Sequence, residues 1–465
     1  MADPRRDARR AGGRPPRPQA SVDAARLAAY DVLKAVRVDD AYANLALPLA
    51  LRAHGLGGRD AAFATELVSG TIRGQGTYDA ILAACVDRPL VKVEDKVRDA
   101  LRLGTHQLLA MRVPAHAAIS TTVDLVRDKA GRGPAGFANA VLRRVSEHDL
   151  AGWVRRVAPD AATDPVGFAT VAHSHPRWVV EAFRATVGER ELDDLLAADN
   201  RPPRVVLVAR PGRSTRAELP GEPTAYSPYG VELAGGDPGA VAAVAEGRAG
   251  VQDEGSQLVA VALAAATVDG RDERWLDLCA GPGGKAALLA ALAGGRGARL
   301  LANERLVHRA GLVARSLTGA DGVLGVLAAD GTRPPWAPGT FDRVLVDAPC
   351  SGLGALRRRP EARWRRTPGD LDALVPLQRA LLSAALESVR PGGVVLYATC
   401  SPVLAETAGV VEAVLAEHPD VAIEDAHALV PEVPDCDGPL AGTVQLWPHR
   451  HGTDAMFLAL LRRTS

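Results

Sequence analysis

Cysteine is scarce in this sequence, and its spacing excludes the usual cysteine-built sites. The 465 residues include only five cysteines, and no C-x-x-C pair occurs among them: Cys85, Cys279, Cys350, Cys400 and Cys436. An odd number of widely separated cysteines argues against a disulfide framework and against a structural zinc site. We therefore expect no metal in this protein and a reducing, cytoplasmic setting.

Long apolar runs are also absent. The longest, "LVAVALAAATV" from Leu258, has about half the length that a membrane span needs. The start of the chain, "DPRRDARRAGGRPPRPQ", is charged and rich in proline where a signal peptide would have an apolar core. These features predict a disordered arginine-rich tail over residues 1–20 and no membrane partner.

An excess of charge of one sign is missing as well, and lysine is rare. The formal net charge is zero, which neither favours nor excludes a nucleic-acid partner. Only five residues are lysine, and Lys285 is the only one after Lys129. Arginine carries the remaining basic charge, with one cluster in "RRRPEARWRR", residues 357–366. Because 47% of the residues are apolar, the chain can build large cores and is not globally disordered.

The first half of the chain divides into a helical front and a short mixed segment. In residues 21–150 apolar residues recur at helical spacing, as "GFANAVLRRV" illustrates with its i, i+3, i+4, i+7 positions, Ala138, Val141, Leu142 and Val145. Residues 151–250 combine a helical stretch after Pro176 with a strand in "PPRVVLVARPG" and many glycines and prolines. This composition predicts a small α+β segment.

From about residue 251, short apolar strands alternate with helical stretches. The candidate strands lie in "RWLDLCAG", "ARLLANE", "GVLGVLAAD", "FDRVLVDAPC" and "GGVVLYATC". This alternation predicts a Rossmann-like α/β domain with a mostly parallel sheet covered on both faces. In such sheets the ligand lies beyond the carboxyl ends of the strands.

The segment "LDLCAGPGGKAALLAAL" predicts a strand, a tight loop and a helix, and three ligands compete for the loop. A P-loop would need glycine at Cys279 and a hydroxyl at Ala286. A dinucleotide fingerprint fits Gly281, Gly283 and Ala286 formally, although a proline and an extra glycine crowd it. S-adenosylmethionine suits the loop best, because its small zwitterionic end needs only a curled loop and a helix N-terminus.

Acids at two later strand ends favour the same ligand. Glu304 lies about 20 residues past the loop, where an acid accepts hydrogen bonds from ribose hydroxyls. Asp330 follows the next strand, where it would meet the adenine. The alternative is that both acids merely cap the ends of their strands.

Two cysteines directly follow predicted buried strands and precede turns: Cys350 and Cys400. Methyl transfer to carbon 5 of a cytosine needs a thiolate that adds to carbon 6, then removal of a proton and release of the thiol. Two cysteines at neighbouring strand ends provide that apparatus. The alternative is packing as small buried residues, which we favour for Cys85, Cys279 and Cys436.

Several motifs, in the right order, resemble the RsmB/NOP family of RNA cytosine-C5 methyltransferases. They are "VQDEGSQL" at 251, "CAGPGGK", "DAPCSG", "YATCSP" and "HRHGTDAMFLALLRR". The helical front, with "FANAVLRRV", resembles the NusB-like RNA-binding domain of the bacterial RsmB (Fmu) branch. The resemblance implies a monomeric enzyme that methylates 16S ribosomal RNA. It also implies three domains: a NusB-like domain (21–150), a linker with a small RRM-like subdomain (151–250) and a catalytic domain (251–465).

The resemblance implies residue roles as well. Cys400 corresponds to the nucleophile, Cys350 to the thiol that helps release the product, and Asp347 would lie beside the methyl group and the target base. The rival assignment, as in DNA cytosine methyltransferases, makes Cys350 the nucleophile. Contacts to S-adenosylmethionine are implied for Asp347 and for Cys279, Ala280, Gly281, Pro282, Gly283, Gly284, Lys285, Glu304, Arg309 and Asp330.

This chain departs from the family's pattern at a few positions. It has Gly281 where alanine is common, Ala286 where threonine is common, and Glu304 in place of aspartate. After Cys400 it has Ala-Glu-Thr at 405–407, where the family often has Glu-Glu-Asn. We expect that last segment to shape the substrate groove.

The arginine cluster after Cys350 predicts RNA contacts, because arginine neutralises phosphates and tryptophan stacks on bases. The candidate RNA-binding residues are Arg357, Arg358, Arg359, Trp364, Arg365 and Arg366. The alternative is a solvated arginine-rich loop. Two other classes of protein stay open: an RNA-binding or antitermination factor with an idle catalytic domain, and a nucleotide-dependent oxidoreductase.

Overall fold

The computed structural model describes residues 22–464, so the tail predicted over residues 1–20 lies outside the described residues. The described chain forms two compact units. The first comprises 22–41, Leu45–Thr71 and Leu82–Leu150, and the second comprises Tyr42–Asn44, Ile72–Ile81 and 151–464. Between residues 22 and 464, no helix is both long enough and apolar enough to cross a membrane.

Seven α-helices begin before residue 150 in the described chain. They are α1 (Ala24–Val38), α2 (Ala43–Ala53), α3 (Gly58–Arg73), α4 (Gln75–Cys85), α5 (Asp95–Leu109), α6 (Ala115–Ala130) and α7 (Arg132–Val145). Asp23 caps α1 by accepting a hydrogen bond from the backbone N–H of Arg26 at 3.0 Å. All four apolar positions predicted for α7 are buried, which confirms the helical front.

Residues 151–250 hold three helices followed by a small antiparallel sheet. The helices are α8 (Leu150–Val157), α9 (Pro165–Ala172) and α10 (Arg177–Asp199). The sheet has the order β2-β3-β1-β4 and comprises β1 (Val206–Ala209), β2 (Gly221–Pro223), β3 (Gly230–Leu233) and β4 (Ala249–Val251), with the short α11 (Ala242–Ala245) before β4. The predicted α+β character is confirmed, and its RRM-like name stays a prediction.

A mixed eight-stranded sheet dominates the remainder. Its order is β10-β12-β9-β8-β5-β6-β7, with β11 paired to β12. The strands are β5 (Arg274–Asp277), β6 (Arg299–Asn303), β7 (Val323–Leu327), β8 (Phe341–Asp347), β9 (Val389–Thr399), β10 (Val421–Glu424), β11 (Val444–Gln445) and β12 (Phe457–Arg463). β5 to β9 run parallel, whereas β12 is antiparallel to both β9 and β10.

All five predicted strands are present, but the sequence analysis missed β10, β11 and β12. β12 lies in the quoted segment "HRHGTDAMFLALLRR", whose continuous apolar run cannot be assigned to strand or helix by periodicity alone. β10 and β11 have four and two residues, too few for a periodic signal. The prediction of a mostly parallel sheet holds for the central strands.

Helices cover both faces of this sheet. The covering helices are α12 (Glu254–Ala265), α13 (Gly284–Gly294), α14 (Val307–Ser316), α16 (Asp370–Ser388) and α17 (Ala408–Glu417), and the chain also forms the short α15 (Ala362–Arg365) and α18 (Pro448–His451). Side chains of α12 and α13 share one apolar core with Leu345 of β8, and those of α16 and α17 share another with Val346. Successive residues of β8 thus point to opposite cores, as expected of a buried strand.

A third apolar core fixes the segment that follows Cys350. Leu353 and Leu356 of that segment are fully buried against Val180 and Phe183 of α10 and against Trp447. Helix α10 therefore supports the loop that carries Cys350.

Candidate active site

The carboxyl ends of four parallel strands bring the predicted site residues together. β5 ends at Asp277, β8 ends at Asp347, and Glu304 and Cys400 directly follow β6 and β9. Because parallel neighbours end at the same edge of a sheet, these side chains gather there. Two distances show that these side chains are in contact: Lys285 Nζ lies 2.9 Å from Asp347 Oδ2, and the sulfur atoms of Cys350 and Cys400 are 3.4 Å apart.

The glycine loop, residues 279–285, leaves no room for side chains at two positions. Gly283 caps α13 with a φ of +117°, and a Cβ there would lie 2.7 Å from the side chain of Ser316. A Cβ at Gly281 would lie 2.0 Å from Glu304 Oε2. Arg309 donates a hydrogen bond to the carbonyl oxygen of Gly281 at 2.8 Å and pairs with Glu304 at 3.5 Å. The loop is thus held against Glu304 and Arg309, both predicted site residues.

Asp277, which the sequence analysis did not select, is the most perturbed acid at this edge. It is fully buried, and no side chain among the described residues hydrogen-bonds to either of its carboxylate oxygens. Burial, reinforced by the nearby charge of Asp347, raises its pKa to about 8. An unpartnered buried acid at the mouth of a glycine loop is typical of a ligand site. The signal was in the sequence, because Asp277 ends its strand just as Asp347 does.

Lys285 and Asp347 form the charged pair of the site. Burial alone would lower the pKa of Lys285, but the adjacent Asp347 carboxylate outweighs it and the net shift is upward. Lys285 therefore stays a cation.

The two sulfur atoms differ in their readiness to ionise. The pKa of Cys400 is lowered, mainly by its hydrogen bond with Cys350 and also by the cations Lys285 and Arg359, against the effects of burial and Asp347. The same hydrogen bond, together with burial, raises the pKa of Cys350 well above its ordinary value. Cys400 is therefore the thiol of the pair that ionises more readily.

The other three cysteines follow the packing interpretation. Cys85 and Cys436 are buried, with 1% and 3% of their surface exposed. Cys279 is partly buried at the edge of the core shared with α16, and burial raises its pKa well above the ordinary range. None of them has the ionisable environment that Cys400 has.

Glu304 and Asp330 both have local partners, as the capping alternative proposed. Glu304 accepts a hydrogen bond from the backbone N–H of Leu306 at 3.0 Å. Asp330 accepts bonds from the hydroxyl and backbone N–H of Thr332 at 2.8 and 3.0 Å, which lower its pKa. Each carboxylate retains acceptor capacity beyond these bonds, so a cofactor contact stays a prediction for both.

The structure corrects part of the predicted RNA surface. Arg357 is buried near Asp253 and Asp454, and Arg358 donates hydrogen bonds to both carboxylates. These two arginines neutralise acids inside the protein instead of presenting free charge to phosphates. Sequence reasoning missed this because the acids lie about a hundred residues away on either side.

Trp364 is likewise engaged within the fold. Its indole N–H donates to the carbonyl oxygen of Ile72 at 3.0 Å, and its ring lies against Gly76. This packing speaks against Trp364 as a free stacking platform for a base.

The remaining arginines of the cluster are more open. Arg359 is exposed, and its guanidinium lies 5.3 Å from the centre of the Tyr42 ring. Arg365 contacts the same ring at 5.6 Å. Arg366 donates to the carbonyl oxygen of Ser351 at 3.1 Å and pairs with Asp370. Arg359 best matches the predicted RNA contact, since its charge also reaches Cys400.

Similarity to known proteins agrees with this geometry. Residues 265–462 match the model of 16S rRNA methyltransferase RsmB/F, and residues 23–147 match that of the NusB family. A ribosomal RNA small subunit methyltransferase B of Pseudomonas putida (strain KT2440) is 34% identical over 409 residues, which cover 85% of this chain and 89% of that protein. The chain belongs to the RsmB/F methyltransferase family.

Further relatives extend the RsmB/F match to nearly the whole chain. A protein of Mycobacterium tuberculosis (strain H37Rv), named as a methyltransferase, is 54% identical over 449 residues, which cover 95% of this chain and 97% of that protein. Among solved structures, the crystal structure of PH0851 has a TM-score of 0.76 at 22% identity and covers 95% of this chain and 99% of its own. NSun6 from Pyrococcus horikoshii, solved with SFG, has a TM-score of 0.52 at 18% identity, covering 62% and 98%. Both structures show the shared fold.

The cofactor of RsmB/F methyltransferases is S-adenosylmethionine, and the residues of this chain fit it. The glycine loop leaves a cradle that side chains would fill, and Asp277 provides a buried acid without a side-chain partner. Gly281 and Glu304 are in close contact: a Cβ at position 281 would lie 2.0 Å from Glu304 Oε2, so a side chain at position 281 would require the carboxylate to move.

Proposed function

We propose that this protein methylates carbon 5 of a cytosine in 16S ribosomal RNA through a covalent bond between Cys400 and carbon 6. The observation that carries the proposal is the 3.4 Å separation of two sulfur atoms with opposite tendencies to ionise. Methylation at oxygen or nitrogen has no use for such a pair. Addition of a thiolate to carbon 6 makes carbon 5 nucleophilic, which a cytosine otherwise is not.

In this mechanism S-adenosylmethionine supplies the methyl group, and the residues of the chain activate and release the base. Cys400, as the thiolate, adds to carbon 6. After methylation the carbon 5 proton has to leave and the bond from sulfur to carbon 6 has to break. Cys350, within hydrogen-bond reach of Cys400, is placed to assist that elimination.

The remaining site residues keep supporting roles in the proposal. Asp347, held by Lys285, would lie beside the exocyclic edge of the base. The cofactor would be bound by the loop 279–285 together with Asp277, Glu304, Arg309 and Asp330.

The 16S substrate is proposed from two features. Relatives that match most of the chain are named as small-subunit ribosomal RNA methyltransferases, and a NusB-family region precedes the catalytic region. We propose the domain limits 21–150, 151–250 and 251–465 for the NusB-like, RRM-like and catalytic parts. The target cytosine has to leave its stack to meet Cys400, which implies a looped or flipped base.

The rival assignment makes Cys350 the nucleophile, and two substitutions separate the alternatives. Cys400→Ala should abolish both methylation and the denaturant-resistant RNA–protein adduct. Cys350→Ala should form the adduct and fail to resolve it, so the adduct accumulates. Cys436→Ala, which changes a core cysteine remote from the pair, is the matched control and should behave as the parent protein.

The assay uses unmodified 16S RNA, labelled cofactor and denaturing gels. An adduct that persists in Cys400→Ala and disappears in Cys350→Ala would identify Cys350 as the nucleophile. An idle catalytic domain would show RNA binding with no methyl transfer by the parent protein. An oxidoreductase would bind NADH and not S-adenosylmethionine.

A further inference from the structure

One buried carboxylate behind the two sulfur atoms has no part in the mechanism so far. Glu406 lies in a short turn, Leu404–Glu406, between β9 and α17, and none of its surface is exposed. The sequence analysis placed this segment at the substrate groove. That expectation is wrong for Glu406, because its side chain points into the protein and is surrounded by donors.

The donors come from both cysteine loops. Glu406 accepts hydrogen bonds from the backbone N–H and the hydroxyl of Ser351 at 2.7 and 2.5 Å, and from the hydroxyl of Ser401 at 2.6 Å. A fourth bond comes from Gln378 at 3.0 Å. Ser351 directly follows Cys350 and Ser401 directly follows Cys400. A single carboxylate therefore joins the two loops one residue beyond each sulfur.

The neighbourhood makes this joint rigid. The two serine hydroxyls lie 3.1 Å from each other, and Gln378 also donates to the carbonyl oxygen of Pro349 at 2.9 Å. The hydroxyl of Tyr397, on β9, donates to the backbone carbonyl oxygen of Glu406 at 2.8 Å. Buried hydrogen-bond networks of this kind restrict the arrangement of the groups they connect.

Glu406 also acts on the sulfurs through its charge. The pKa of Cys350 is raised by its hydrogen bond with Cys400, by burial, and by the negative charges of Cys400 and Glu406. On the other side of the pair, Lys285 and Arg359 favour the Cys400 thiolate and Asp347 opposes it. The same surroundings that raise the pKa of Cys350 therefore include the carboxylate that joins the two loops.

We propose that Glu406 is a positioning residue: by joining the two cysteine loops it sets the spacing of the two sulfurs and keeps Cys350 within hydrogen-bond reach of Cys400. The functional consequence rests on the roles proposed for the two cysteines. The spacing of the sulfurs does not, since it concerns the protein without RNA or cofactor.

Alkylation of the two cysteines tests this positioning directly. The parent protein and Glu406→Gln are treated with iodoacetamide across a pH series, and the rate at each cysteine is followed by peptide mass spectrometry. Glutamine keeps the shape of the side chain, removes the charge, and turns one acceptor into a donor that faces other donors. Because the hydrogen bond from Cys350 is the main cause of the lowered pKa of Cys400, a variant that loosens the two loops should make Cys400 react about tenfold more slowly near neutral pH, equivalent to an upward pKa shift of about one unit.

The matched control is Glu412→Gln, which makes the same change at an exposed position of α17. Its alkylation profile should follow that of the parent protein. An unchanged Cys400 profile in folded Glu406→Gln would overturn the proposal. Because this readout needs no substrate, it can succeed or fail independently of the methylation assay.

Ser401→Ala separates position from charge. It removes one hydrogen bond to the carboxylate and keeps the charge, so alkylation of Cys400 should slow in the same direction as in Glu406→Gln but by less, while kcat falls and KM stays the same. If Glu406→Gln does not fold, this variant decides the question of position, and an unaltered kcat would contradict the proposal.

Discussion

A paired substitution at Gly281 and Glu304 tests whether the two departures of this chain from the family's pattern compensate each other. A Cβ at position 281 would lie 2.0 Å from Glu304 Oε2, well inside the 3.4 Å of ordinary contact. The backbone itself permits alanine there, because the φ of Gly281 lies outside the left-handed region. Gly281→Ala therefore acts by displacing a carboxylate.

The expected loss follows from the bonds that the displaced carboxylate gives up. Glu304 pairs with Arg309 at 3.5 Å and accepts the N–H of Leu306 at 3.0 Å, and each interaction contributes about 1 kcal/mol. We expect Gly281→Ala to weaken binding of S-adenosylmethionine by about 2 kcal/mol, or about 30-fold in Kd. Glu304→Asp alone, which draws the acid back from its partners, should cost about 1 kcal/mol.

The double variant is the decisive measurement. Aspartate withdraws the carboxylate from the added methyl group, so the double variant should bind better than Gly281→Ala, with a coupling energy of about 1–2 kcal/mol. Titration calorimetry measures the Kd for S-adenosylmethionine of the parent protein, the two single variants and the double variant, which together form a double-mutant cycle. Gly133→Ala, at a position with open space around the Cβ, controls for the change from glycine. Additive losses in the double variant would refute the compensation.

Three further predictions concern charged residues of the second unit. Asp253→Ala should destabilise this unit by about 4 kcal/mol, because two arginines then face one acid with little access to water, whereas Asp164→Ala, at a surface cap of α9, should destabilise it much less. Urea unfolding followed by tryptophan fluorescence reports on this unit, since all six tryptophans lie at residue 153 or beyond. Equal losses in the free energy of unfolding of the two variants would contradict the reasoning. Arg359→Ala should weaken RNA binding and reduce the slope of log affinity against log salt by about 0.7–0.9, with cofactor affinity unchanged. A slope equal to that of the parent protein would show that Arg359 does not contact RNA phosphates. Burial raises the pKa of Asp199 to about 7. Between about pH 4 and about pH 7 the folded protein therefore keeps a proton on Asp199 that the unfolded chain has released. The contribution of Asp199 to the free energy of unfolding falls as pH rises through this range. Asp199→Asn should therefore gain stability relative to the parent protein at about pH 8 compared with about pH 5, and a constant difference between the two proteins would contradict the shift.

The sequence was most informative where structure depends on neighbouring residues. The spacing of apolar residues predicted α7 correctly, and "RWLDLCAG" and "FDRVLVDAPC" predicted β5 and β8 with their loops. Each of these signals extends over about ten residues, within one helix or one strand with its turn.

The sequence was least informative about the partners of charged side chains. The run at 357–366 predicted a basic surface, yet Arg358 pairs with Asp253 and Asp454, and Arg363 is fully buried. Charge density along the chain says nothing about which acids the fold will bring alongside. Asp277 was overlooked for a related reason, since its burial and its lack of a side-chain partner exist only once the sheet has formed.

The sequence by itself determined the helical front, the order of parallel strands and helices, and the arrival of two thiols just beyond the ends of β8 and β9. Only the tertiary structure decided that their sulfurs lie 3.4 Å apart, that the Glu406 carboxylate bonds to the loop of Cys350, and that Arg358 pairs with Asp253 inside the protein. The physical reason is range. Periodicity and turn chemistry act between residues a few positions apart, whereas these contacts join residues about fifty or more positions apart that only the strand order of the sheet brings side by side.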